Sequence, residues 1–154
     1  PDVLTTAKGL GNGFPVGAVM TQGKAVGLLG PGSHGSTYGG TVLGSRVVYT
    51  VIDTIQKENV IENAEKVGSY IVEQLRERLG EFSVQVRGFG MMIGIELPMP
   101  CADIVHSARD NYKLIVNVTA GNVVRLLPPL NMTFEQADDL LARLVPAITD
   151  FIKA

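Results

Sequence analysis

The amino-acid sequence predicts an α/β fold in two parts, with a boundary near residue 60. Residues 1–40 hold eleven of the 18 glycines but only three charged residues, a composition typical of buried strands joined by tight loops. Apolar residues then recur at helical spacing as far as residue 79. From residue 83 onward, short strand-like runs alternate with helical segments, which indicates a smaller α+β unit.

The first part, residues 1–60, is expected to contain two strands and one helix. Strand-like runs cover residues 3–7 and 16–21. A buried helix should begin at Leu43, because its apolar residues are separated by steps of three and four: Val47, Val48, Val51, Ile52 and Ile55.

The second part, residues 61–154, should combine helices with strand pairs. A helix over residues 61–79 presents one apolar face, and Gly80 is placed to stop it. Thr133 and Gln136 form a capping box at the start of the last helix. The other elements are predicted strands at 83–86, 91–97, 114–118 and 122–127, and a helix at 102–111.

The composition narrows the classes of function. A net charge of -2 offers no basic surface for nucleic acid, and no apolar run reaches the roughly 20 residues that cross a bilayer. The single cysteine, Cys101, excludes an internal disulfide, and the chain opens without a leader-like segment. His106 lies on a predicted helix beside Ser107 and Arg109, and no metal site is expected there. These observations favour a soluble cytoplasmic protein.

Lys8 is the first candidate for chemistry, since it lies between an apolar run and a glycine cluster, residues 9–13. A lysine amine becomes a nucleophile only when its charge is suppressed, by desolvation or by a neighbouring cation, and formation of an imine with a carbonyl cofactor removes the charge. The alternative is a solvated lysine that merely follows a strand. A dinucleotide-binding interpretation of the glycines is disfavoured, because residues 14–20 resemble a strand where that motif requires a helix.

A second candidate is the loop of residues 34–40, His-Gly-Ser-Thr-Tyr-Gly-Gly. The hydroxyls of Ser36 and Thr37 and the flexible backbone amides precede a helix, whose N-terminus favours an anion such as phosphate. The alternative is an ordinary solvent loop rich in small residues.

Together, these motifs resemble those of the class III aminotransferases, enzymes of fold type I that depend on pyridoxal phosphate. The resemblance covers the whole chain and includes three segments in the family's order. They are Ala-Lys-Gly-Leu-Gly-Asn-Gly-Phe-Pro-Val-Gly at 7–17, Arg-Gly-Phe-Gly-Met-Met-Ile-Gly-Ile at 87–95 and Val-Arg-Leu-Leu-Pro-Pro-Leu at 124–130. The last segment is most similar to acetylornithine aminotransferases. The resemblance implies that residues 1–60 belong to the cofactor-binding large domain, with its mostly parallel sheet, and residues 61–154 to the small C-terminal α+β domain.

The resemblance also implies roles for individual residues. Lys8 joins pyridoxal 5'-phosphate covalently and moves the proton during catalysis. Ser36 and Thr37 contact the cofactor phosphate of the neighbouring subunit, so that a homodimer shares its active sites. Arg125 either binds a substrate carboxylate or pairs with an acidic residue that gates specificity, and a structural ion pair remains the alternative.

The implied reaction transfers the terminal amino group of N-acetylornithine to 2-oxoglutarate in arginine biosynthesis. Ornithine, 4-aminobutyrate or succinyl-diaminopimelate are the alternative amino donors. The chain matches about the last two fifths of such an enzyme, so the isolated chain is expected to be inactive and to expose apolar edges in residues 1–55. From a different class of function, the chain is a non-catalytic fragment or an interaction domain.

Overall fold

The computed structural model describes residues 1–154, which form two compact units, residues 1–58 and 59–154. The first unit contains strands β1 (Val3–Thr6) and β2 (Ala18–Thr21) and helix α1 (Val42–Lys57). The second unit contains, in order, α2 (Val60–Leu79), β3 (Gln85–Phe89), β4 (Met92–Glu96), α3 (Ile104–Tyr112), β5 (Asn117–Thr119), β6 (Val123–Leu126) and α4 (Phe134–Lys153). All the predicted helices and strands are therefore present.

The first unit is open on its apolar sides. β1 and β2 pair antiparallel, with Val3 opposite Thr21 and Thr6 opposite Ala18. Side chains on this hairpin are exposed, including Val19 at 65% and Met20 at 52%. The prediction of buried strands and a buried helix is thus wrong for this chain, because one hairpin and one helix supply no second layer to cover them. The expectation that residues 1–55 expose apolar edges is confirmed.

The second unit holds the hydrophobic core, between an antiparallel sheet and its helices. The strand order is β3-β4-β6-β5. Side chains alternate along a strand, so residues of β4 point in turn to the inner and the outer face. Ile93 and Ile95 are fully buried on the inner face. Gly94 and Glu96 lie on the outer face. Val124 and Leu126 continue the buried layer on β6.

Helix α2 packs on the inner face of this sheet, and α4 packs against α2 and α3. α2 buries one stripe, which includes Val67, Ile71 and Leu75, all at 0% exposure. The capping box at the start of α4 is confirmed, since Gln136 N donates to Thr133 Oγ1 at 3.2 Å and Thr133 N to Gln136 Oε1 at 3.0 Å. No helix combines the length and apolar character that crossing a membrane requires.

Local hydrogen bonding moves some element boundaries away from their predicted positions. α2 ends at Leu79 as expected, but Gly80 keeps a right-handed backbone and the left-handed residue is Ser83, at φ 57°. β5 does not begin at Leu114, because the Leu114 amide donates to Ala108 O at 3.1 Å and so closes the end of α3. β3 runs on to Phe89, through residues predicted as a connection.

The turn between β5 and β6 contains a strained residue, Ala120, at φ 53°. The left-handed region disfavours side chains with a Cβ by about 1–2 kcal/mol, and glycine removes this cost. We therefore expect Ala120→Gly to raise the free energy of unfolding by about 0.5–1 kcal/mol in urea denaturation. Ala102→Gly is the matched control, since Ala102 is also exposed in a turn but has no positive φ. Equal effects of the two changes would show that Ala120 carries no strain.

Candidate functional site

Lys8 opens a short 3-10 turn, Lys8–Leu10, directly after β1. Its backbone is left-handed, with φ 56°, although the residue is not a glycine. The side chain is exposed, and none of the five ion pairs includes it. Strained backbone of this kind costs about 1–3 kcal/mol and is concentrated at functional sites. Lys8 therefore has an exposed amine without an ion-pair partner, and its backbone adopts an uncommon conformation.

The glycines after Lys8 allow the loop to fold tightly. A Cβ on Gly11 would lie 2.1 Å from Phe14 O, and a Cβ on Gly17 would lie 3.3 Å from Thr6 O. Gly44, in the first turn of α1, also allows close packing, because a Cβ at this position would lie 3.3 Å from Cε1 of Phe14. The Lys8 loop therefore packs directly against the start of α1.

The Ser36–Thr37 loop leads into that same helix. Thr41 is the N-cap of α1, and its Oγ1 accepts from Gly44 N at 3.2 Å. Ser36 lines an open groove of about 710 Å³ together with Thr6 and Leu10, the near neighbours of Lys8. Lys8 and Thr37 themselves are outside this lining. The structure thus brings Ser36 to the flanks of the Lys8 loop but does not place both hydroxyls around the amine.

The residues of this unit fit a cofactor that carries an aldehyde and a phosphate. Lys8 offers an unpaired amine, the group that forms an imine with an aldehyde. Ser36 and Thr37 are exposed. Beside them, Gly35 and Gly40 leave open space where a Cβ would be, so that an anion has access to the loop backbone. These residues therefore match the groups of pyridoxal phosphate.

Arg125 lies in the second unit, on the outer face of β6. Its side chain is exposed and belongs to none of the five ion pairs, so the structural ion pair considered from the sequence is absent from the chain. It borders a pocket of about 400 Å³ where β6 ends and β5 begins, together with Asn117, Leu127 and Pro129. A planar guanidinium with free donors at such a pocket suits a carboxylate.

An ion pair on the same face was not predicted from the sequence. Nη1 of Arg87 donates to Oε2 of Glu96 at 2.7 Å. This hydrogen bond lowers the pKa of the Glu96 carboxyl below its usual range, with a further contribution from the Arg87 charge. The alternation of exposed and buried residues in β3, β4 and β6 could have placed both groups beside Arg125, had the strand register been known.

Comparisons with known proteins agree with these features. The family model described as aminotransferase class-III matches residues 1–148. The acetylornithine aminotransferase of Nitrosomonas europaea is 42% identical over 156 residues, which cover 100% of this chain and 39% of that protein. The ornithine delta-aminotransferase of Plasmodium falciparum superimposes with a TM-score of 0.92 at 32% identity, over 99% of this chain and 41% of the other.

A further solved structure bears on the cofactor. The ornithine aminotransferase of Toxoplasma gondii superimposes with a TM-score of 0.91 at 29% identity, over 99% of this chain and 37% of the other, and is described with partial occupancy of PLP at its active site. This chain spans about two fifths of the length of the relatives it matches. The matched family model covers nearly all of its residues, and its fold is that of PLP-dependent aminotransferases. The chain belongs to the class III aminotransferase family.

Proposed function

We propose that this chain is part of a longer enzyme that transfers the terminal amino group of N-acetylornithine to 2-oxoglutarate, a step of arginine biosynthesis. The observation that carries the proposal is the exposed amine of Lys8, which is in no ion pair and lies on a loop packed against the start of α1, the helix into which the Ser36–Thr37 loop leads. The specific amino donor is supported by relatives such as the acetylornithine aminotransferase of Nitrosomonas europaea.

Each candidate residue then has a chemical role. Pyridoxal phosphate, when bound, supplies the electron sink for transamination. Nζ of Lys8 would hold the cofactor, and the Lys8 amine would take and return the proton at the substrate carbon that carries the amino group. The hydroxyls of Ser36 and Thr37 donate hydrogen bonds to the phosphate. The guanidinium of Arg125 binds a carboxylate of the substrate, which orients the amino group for transfer.

The assembly is proposed on the same basis. Residues 1–60 would belong to the large domain and residues 61–154 to the small one, in a cytoplasmic homodimer. Ser36 and Thr37 would serve the phosphate of the neighbouring subunit. This arrangement accounts for the exposure of both residues and for Lys8 and Thr37 lying outside the groove that Ser36 lines.

Ornithine is the second candidate amino donor, since the structure superimposes on an ornithine aminotransferase with a TM-score of 0.92. Ornithine has a charged α-amino group, whereas the α-nitrogen of N-acetylornithine is part of a neutral amide. A binding site that recognises one of these groups disfavours the other.

Turnover of alternative amino donors tests the proposal. We expect kcat/KM of the longer enzyme with 2-oxoglutarate to be about tenfold or more higher for N-acetylornithine than for ornithine, 4-aminobutyrate or succinyl-diaminopimelate. A preference for ornithine would favour the second candidate instead. Absence of amino transfer from all four donors would contradict an aminotransferase function and support a non-catalytic protein.

A further inference from the structure

We propose that Arg87 is a positioning residue that holds Glu96 away from Arg125 and so keeps the Arg125 guanidinium free for a substrate carboxylate. The inference rests on the proposed function, because it concerns the site in which Arg125 acts. The Arg87–Glu96 ion pair, which is not expected to touch the substrate itself, would then act by controlling the partner of Arg125.

The strand register places the three side chains together. On the central strand β4, Gly94 is opposite Arg87 of β3 on one side and opposite Arg125 of β6 on the other. Residues opposite each other in a sheet point to the same face, so the two arginines flank a glycine on the outer face. Glu96, two residues beyond Gly94, lies on that face as well.

Glu96 is a diagonal neighbour of both arginines. Its direct partners are Gln85 on β3 and Val123 on β6, and each arginine lies two residues further along its strand. Diagonal neighbours are separated by about 7–8 Å, a distance that long side chains bridge. In the structure the carboxylate pairs with Arg87, at 2.7 Å, and Arg125 has no ion-pair partner.

Gly94 provides the space for this arrangement. A Cβ at Gly94 would lie 3.9 Å from both Cγ and Nε of Arg87, so the Arg87 side chain runs past the glycine on its way to Glu96. The same Cβ would lie 3.3 Å from Cγ1 of Val123, the residue opposite Glu96. A longer side chain here would displace Arg87 from the position in which it holds the carboxylate.

The ion pair between Glu96 and Arg87 is weak, so Glu96 can exchange one arginine partner for another. The side chains of Arg87 and Glu96 are 58% and 38% exposed, and ion pairs this exposed add little to stability. A carboxylate that loses Arg87 therefore needs little energy to turn toward the other cation in reach. Paired with Glu96, Arg125 has fewer donors left for a substrate carboxylate and less net positive charge with which to attract it.

Binding of glutarate, an unreactive dicarboxylate, to the longer enzyme tests the inference. We expect Arg87→Gln to weaken glutarate binding about fivefold, and Arg87→Gln/Glu96→Gln to restore it to within about twofold of the parent. Arg109→Gln is the matched control, because it removes the same charge and another ion pair, to Asp110 at 2.7 Å on α3. Equally weak binding by the single and double variants would show that Arg87 acts by itself, which would overturn the inference.

Carboxyl NMR titration of Glu96 gives a readout that needs no turnover. In Arg87→Gln, the pKa of Glu96 should stay below its usual range because Arg125 takes the place of Arg87. The side chain of Asn122 also lowers this pKa and is present in every variant, so the change between variants reports on the arginines. The pKa of Glu96 should rise when Arg125→Gln is added. A rise on Arg87→Gln alone would overturn the inference. Failure of the proposed function is distinguishable, since it would abolish amino transfer without altering this titration pattern.

Discussion

Replacement of Lys8 by alanine is expected to lower the transamination rate of the longer enzyme by at least about 10²–10⁴-fold. In the proposed function the amine has two roles, covalent attachment of the cofactor and proton transfer at the substrate carbon, and alanine supports neither. Its exposure and lack of an ion pair show that it contributes no salt bridge to the fold. The thermal midpoint of unfolding without cofactor should therefore change little. Steady-state kinetics and calorimetry measure the two effects separately.

Lys24→Ala is the matched control for this change. Lys24 is also exposed and lies in a 3-10 turn, Gly23–Ala25, that follows a strand of the same hairpin. Its removal should leave the rate within about twofold of the parent, as expected for a surface side chain outside the site. If both variants lost activity equally, the effect would come from general charge or folding, and the specific role of Lys8 would be wrong.

Gly68→Ala is expected to produce the largest loss of stability. Gly68 is buried in the middle of α2, and a Cβ there would lie 2.1 Å from the carbonyl oxygen of Gly90, in the turn between β3 and β4. The backbone atoms cannot give way without separating α2 from the sheet, and overpacking of this kind costs about 1–3 kcal/mol or more. The gain of roughly 1 kcal/mol in helix propensity offsets part of this cost. Urea denaturation should show a net loss of about 2 kcal/mol.

Gly80→Ala separates the packing effect from the backbone effect. Gly80 follows α2 with a right-handed backbone, at φ -56°, and has open space around its missing Cβ. Alanine fits this conformation and reduces the freedom of the unfolded chain, so stability should be unchanged or rise by about 0.4–1 kcal/mol. A Gly68→Ala protein as stable as Gly80→Ala would mean that α2 and the turn do not pack as closely as the structure shows.

Local signals in the sequence predict the second unit well. The apolar steps of α2 and the capping box of α4 each depend on residues within one or two turns, and the structure has both. Gly88 and Gly90 mark the hairpin between β3 and β4, but their spacing does not reveal that Gly68 packs against Gly90. That contact joins positions 22 residues apart and depends on how the helix lies on the sheet.

Two features could not be predicted from the sequence, for different physical reasons: the exposure of apolar residues in the first unit and the arrangement of charged residues on the outer face of the second. Val19 and Met20 have the apolar character of buried strand residues, yet burial requires a second layer that this chain does not contain. Glu96 and Arg125 are 29 positions apart, and only the register of β4 against β6 makes them diagonal neighbours. Lys8 and Ser36 were candidates because of the chemistry of their own segments, but their specific roles came from the resemblance to a family, since spacing alone did not require those roles.

Borohydride reduction of the cofactor-loaded enzyme, followed by peptide mass spectrometry, tests directly whether Lys8 is the covalent attachment point of pyridoxal phosphate. Reduction fixes the imine, so the pyridoxyl group stays on the lysine that carried it. We expect the modified peptide to contain Lys8, and we expect Lys8→Ala to abolish the modification while Lys24→Ala leaves it in place. A pyridoxyl group on any other lysine, with Lys8 unmodified, would show that Lys8 is not the attachment point.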